Sequence, residues 1–159
     1  QRVADLQPAH VQDVLAVVGH AAGAQGSLAA QGGKAADQPG RGQGIPLLMV
    51  NGIGGNIELL EPVVRAMPGR EIIVFDIPGV GHSPMPRRPY RLRTVVGWAE
   101  GLLDHFGHEQ VDVFGVSWGG AVAQEFARYA AARCRRLILC ATATGMVMVP
   151  GHPKAMIWR

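Results

Sequence analysis

The sequence predicts an α/β fold built on a parallel sheet, and three observations predict it. From residue 45 onward, short apolar runs alternate with segments of helical periodicity. The runs are continuous rather than alternating, as in strands buried on both faces. The breaks between them fall at Gly, Pro and Asn, where a strand hands over to a loop.

The elements follow in order. Pro46 to Val50 is an apolar run closed by Asn51-Gly52, the first strand. Glu61-Pro62 opens a short helix through Met67, with Pro62 suited to the first helical position. Glu71 to Asp76 is the second strand, followed by a loop rich in Pro and Gly. Thr94 reads as the cap of a helix that turns Val95, Ala99, Leu102 and Phe106 inward, and Gly107 stops it. Val111 to Val116 is the third strand. The next helix runs from about Trp118 to Ala131, with Val122, Phe126 and Tyr129 as its apolar stripe. Leu137 to Ala141 makes a fourth strand, and the alternation implies right-handed crossovers.

Residues 1–44 differ in kind. They are rich in Ala, Gln and Gly and contain no aromatic residue. Val11, Val14, Leu15 and Val18 have the spacing of one short amphipathic helix, and 21–44 has the composition of a flexible linker. The expected organisation is therefore a poorly structured extension over 1–44 and one folded unit over 45–159.

Composition narrows the function. An apolar share of 48% supports a buried core. The net charge of +3 comes from scattered arginines, loosely grouped only at Arg87, Arg88, Arg91 and Arg93. No basic run is interleaved with aromatics, which argues against nucleic-acid binding. Cys134 and Cys140 fit neither a redox pair nor a zinc set; Cys140, in an apolar run, reads as a small core residue. A reducing, cytoplasmic setting is the simplest expectation. No apolar stretch reaches the roughly eighteen residues of a membrane helix, and the opening residues carry no signal-peptide pattern. The chain does not open with Met, so the expectation is a fragment.

Gly115-Val116-Ser117-Trp118-Gly119 matches G-x-S-x-G, a pattern that 22 Gly and three Ser in 159 residues would rarely produce by chance. The motif needs a strand before the Ser and a helix after it, because the nucleophile sits on a sharp, strained turn. Both flanks are present. A serine attacking a carbonyl also needs donors for the oxyanion. The Trp118 N–H, at a helix N-terminus, is one expected donor. The loop after the first strand, Asn51 to Asn56, is positioned to give the second, with the Ile53 N–H as the candidate. A phosphate-binding loop is disfavoured, since Ile57 stands where G-x-G-x-x-G needs Gly and no Lys-Ser/Thr pair follows. Asp76 and His82 invite a reading as partners of Ser117; a tight structural turn is the preferred one.

From Pro46 to Lys154 the chain resembles the intracellular poly(3-hydroxyalkanoate) depolymerases of the α/β-hydrolase superfamily. The resemblance rests on Asn51-Gly52-Ile53-Gly54, Phe75 to Gly81, Arg88-Pro89-Tyr90-Arg91, Gly115 to Gly120 and Met148-Val149-Pro150-Gly151. It implies an α/β-hydrolase fold and cofactor-free hydrolysis of 3-hydroxyacyl esters in a storage polyester, at or near its granules. Two departures stand beside it. Residues 1–44 do not look like the family's opening strand hairpin. The fold orders its triad as Ser, acid, His, yet no Asp or Glu follows Glu125 and His152 is the one downstream His. The expectation is the parallel-sheet N-terminal half of the fold, ending before the lid and last strands. A different hydrolase of small esters or lactones, and a non-catalytic remnant, are the rival readings.

Overall fold

Four parallel strands and one antiparallel strand form a single sheet in the computed structural model, which describes residues 44–143 and the backbone of 16–20. In chain order these are β1 (Ala16–His20), β2 (Leu47–Val50), β3 (Glu71–Phe75), β4 (Val111–Val116) and β5 (Cys134–Cys140). Helices α1 (Ile57–Arg65), α2 (Leu92–Phe106) and α3 (Trp118–Tyr129) connect them. Across the sheet the order is β1-β3-β2-β4-β5.

Every residue of β2 and β3 is buried, which explains their unbroken apolar runs. Alternate side chains serve opposite layers. Leu48, Val50, Ile73, Phe75, Val111 and Val113 pack with α2 and α3 residues, notably Val95, Ala99, Leu103, Val122 and Phe126. On the other face Leu47, Met49, Ile72 and Val74 pack with Ile57, Leu60 and Val64 of α1. The result is a three-layer sandwich with the sheet in the middle.

Several boundaries differ from the sequence reading, each for a physical reason. The expected helix through Val18 gives way to β1, which pairs antiparallel with β3 and sets Val18 opposite Ile73. An apolar run of that length fits either period, and the free edge of β3 decides it. So the 1–44 extension does lend a strand to the sheet; Val11 to Leu15 and the expected linker over 21–43 lie outside the described residues. Helix α1 starts at Ile57 rather than at Glu61, leaving Pro62 inside the helix. Its N-terminus is held from across the chain by the Asp76 carboxylate, which no local signal reveals. Arg91, not Thr94, caps α2. Tyr129 turns out to solvent under the Arg93 guanidinium, 4.6 Å from the ring centroid. Phe106 is half-buried. Cys140, expected in the core, is exposed because β5 is the outer strand among the described residues. Gly107 does end α2, in the left-handed region at φ 72°.

Charged groups gather at the N-terminal ends of the strands. Asp112 of β4 is buried and accepts hydrogen bonds from Arg135 Nε at 2.8 Å, Arg135 Nη2 at 2.6 Å and Arg70 Nη2 at 2.6 Å. Those bonds, Arg135's above all, hold its carboxyl down at about 2. At the start of β3, His108 Nε2 lies 2.8 Å from the buried Glu71 carboxylate. No helix among the described residues is long and apolar enough to cross a membrane.

Candidate active site

The topology sets where a site can form. From β2 the chain crosses by α1 to β3 on one side, then by α2 to β4 on the other side of β2. The loops leaving the C-terminal ends of β2 and β4 therefore head for opposite faces of the sheet. The strand order reverses between them, which is the position where ligands bind in open α/β sheets.

Ser117 stands at that position. It is the single residue between β4 and α3, exposed, with φ 54° and ψ −121°. A non-glycine residue there is strained by about 1–3 kcal/mol, which the surroundings must hold in place. Glycines make the turn sterically feasible. A Cβ on Gly119 would collide with the Val50 and Asn51 carbonyl oxygens, and one on Gly115 with the Gly119 backbone. Neither position can carry a side chain. The Ser117 N–H donates to the Cys140 carbonyl at 3.0 Å, so β5 fixes the turn from the far side.

The loop after β2 lies against the serine. A Cβ built on Gly52 would stand 3.4 Å from Ser117 Cβ and 3.9 Å from its Oγ. The loop is locked internally: the Gly55 N–H donates to the Gly52 carbonyl at 3.0 Å, and Asn51 Nδ2 donates to the Asn56 carbonyl at 2.8 Å. The Gly52 N–H is taken by Asn51 Oδ1 at 2.9 Å. Ile53 follows directly, with its side chain 80% exposed rather than packed. Trp118 is the first residue of α3, where backbone N–H groups lack intrahelical acceptors, and its half-buried side chain packs on the core. Thus Ser117, the 51–56 loop and the start of α3 meet at one spot.

Asp76 and His82 do not form a partner set for Ser117. The Asp76 carboxylate accepts the Ile57 N–H at 2.9 Å and the His82 N–H at 3.2 Å, and its carbonyl accepts the Ser83 hydroxyl at 2.6 Å. Burial pushes this carboxyl up from its ordinary value. The His82 ring is exposed and sits 3.6 Å from Glu58 instead. The Pro/Gly stretch is the hydrogen-bonded turn that its composition predicts. His152 lies outside the described residues, among which no cluster of His, Cys, Asp and Glu could hold a metal ion. Sequence reasoning missed the second use of Asp76, because its partner lies 19 residues away.

A family profile described as the alpha/beta hydrolase fold matches residues 45–157. The chain belongs to that family. Among curated relatives, this α/β-hydrolase chain is 49% identical over 124 residues to a poly(3-hydroxyalkanoate) depolymerase of Ectopseudomonas oleovorans, covering 77% of this chain and 44% of that protein. A 2-hydroxymuconate semialdehyde hydrolase of Pseudomonas sp. (strain CF600) is 36% identical over 107 residues, covering 64% of this chain and 38% of the relative. The enol-lactonase structure from Burkholderia xenovorans LB400 superposes with a TM-score of 0.61 at 29% identity, covering 65% of this chain and 41% of that one. The chain thus spans less than half the length of these relatives. The expected α/β-hydrolase fold is what the described residues form, with its strands in parallel from β2 to β5.

Proposed function

We propose that this chain carries the nucleophile and the oxyanion donors of a serine ester hydrolase acting on 3-hydroxyacyl esters. The observation that carries the reading is the strained, exposed Ser117 with Gly52 packed beside it, in a chain 49% identical to a polyester depolymerase. Ser117 Oγ attacks the ester carbonyl and passes its proton to a general base. The N–H groups of Ile53 and Trp118 receive the oxyanion, the acyl-enzyme forms as the alcohol leaves, and water releases the acid. No residue from β2 to β5 fills the roles of base and orienting acid in this reading, which assigns them to the part of the relatives that this chain does not span. No cofactor is needed. The substrate is a polyester granule in the cytoplasm.

The test joins residues 45–159 to the remainder of the polyester depolymerase relative. The expected result is release of 3-hydroxy acids from medium-chain polyester in preference to short soluble esters. Ser117→Ala lowers turnover by about four to six orders of magnitude. A second reading, hydrolysis of a small lactone, draws on the likeness to the enol-lactonase. It prevails if the joined protein opens lactones and leaves the polyester intact.

A further inference from the structure

Asp76 is the one buried carboxylate at the C-terminal ends of β2, β3 and β4 among the described residues, and the chemistry above does not use it. Its Oδ1 takes the N–H of Ile57, the first residue of α1, at 2.9 Å. That helix begins where the 51–56 loop ends. Its Oδ2 takes the His82 N–H, and Gly81 comes so close that a Cβ there would overlap the carboxylate. Ser83 Oγ donates to its carbonyl oxygen at 2.6 Å, locking the same turn. One side chain therefore ties the far end of the 51–56 loop to the rigid turn after β3. Asn51 fixes the near end through the Asn56 carbonyl and its own neighbour's N–H. Between the two anchors lie Gly52, beside Ser117, and Ile53.

A desolvated carboxylate is a costly way to hold a loop unless placement matters. Two backbone N–H donors offset part of that cost, because hydrogen bonds to a charged acceptor are stronger than neutral ones. We propose that Asp76 is a positioning residue that clamps the 51–56 loop, through the Ile57 N–H, at the distance from Ser117 that an oxyanion donor requires. This deepens the ester-hydrolase reading and rests on it for the catalytic consequence, though not for the clamp itself.

Two measurements test it with Asp76→Asn, which keeps the shape but sets an N–H donor against one of the two backbone donors. In the chain 1–159, residue-resolved amide exchange reads the clamp. Exchange at Gly55 and Ile57 is expected to quicken about tenfold or more, while Val113 and Phe126 keep their wild-type rates. Unchanged exchange at Ile57, or equal acceleration through the core, overturns the clamp. In the joined protein, kcat per titrated active site is expected to fall about 10–100-fold with KM nearly constant, as loss of oxyanion alignment demands. A loss of folded protein alone would lower the titrated sites and leave kcat per site intact. If kcat is unmoved while the parent hydrolyses ester, the positioning role is wrong and the ester reading stands. If the joined parent with Asp76 intact does nothing, the ester reading fails, and amide exchange still decides the clamp.

Discussion

Two buried aspartates sit at opposite ends of the sheet and are satisfied by different means. Asp112, at the N-terminal ends of the strands, is gripped by the side chains of Arg70 and Arg135, and its acidity rises. Asp76, at the C-terminal ends, receives only backbone N–H groups from Ile57 and His82, and burial weakens its acidity. The first end gathers charge pairs; the second gathers a strained serine, crowded glycines and a desolvated carboxylate. Charge pairing and backbone strain are thus separated by the length of the strands. Stress at the site end is tolerable because the other end and the core hold the sheet together.

The largest effect that should expose this division is removal of the Asp112 carboxylate. Asp112→Ala leaves two partly exposed guanidiniums facing each other without their acceptor, and a loss of about 3 kcal/mol is expected by urea unfolding. A loss below about 1 kcal/mol would mean that the charged end is not a stabilising element. At the other end, Gly119→Ala should cost about 3 kcal/mol, because its Cβ meets the Val50 and Asn51 carbonyls. Normal stability in that variant would show that the turn can open freely, against the tight junction described.

Acid should separate the two aspartates by sign. Asp112 has its folded pKa lowered from 3.8 to about 2, so its contribution is fully present above the unfolded value and is lost as pH falls through about 2. Allowing for water around the half-exposed arginines, that contribution is about 1–2 kcal/mol. Asp76 has its folded pKa raised, so its ionised form costs stability and that cost disappears as pH falls. Asp112→Asn should flatten the acid limb of the stability curve and Asp76→Asn should steepen it. The same slope in both would erase the contrast. The smallest expected change is a gain: Ser117→Gly relieves the φ of 54° and should stabilise the fold by about 1 kcal/mol, seen as a raised Tm. A lowered Tm would mean that the serine side chain contributes more than its backbone costs.

How much of this was readable beforehand depends on whether the cause is local. Val111 to Val116 emerged with its expected bounds because a buried strand announces itself in six consecutive residues. Gly107 and the two motif glycines were legible for the same reason: each answers a demand made by its own neighbours. The start of α1 was not legible, since the acceptor for Ile57 belongs to a loop after another strand. The strand at Ala16–His20 was hidden because its apolar run takes its period from the β3 edge it joins. Tyr129 was misplaced by treating helical spacing as burial, when its ring serves instead as a surface for Arg93 and Arg128. At the candidate site, the sequence singled out Ser117 and the 51–56 loop, which the fold sets side by side, while the Ile57–Asp76 hydrogen bond at the loop's far end left no local signal.

The Ser117 N–H is bound to the last carbonyl of β5, which is the outermost strand on its side among the described residues. Leu137, Ile138 and Leu139 of that strand are each more than a third exposed. Ser117 is thus moored through β5, whose hydrogen bonds to β4 brace the turn from the far side.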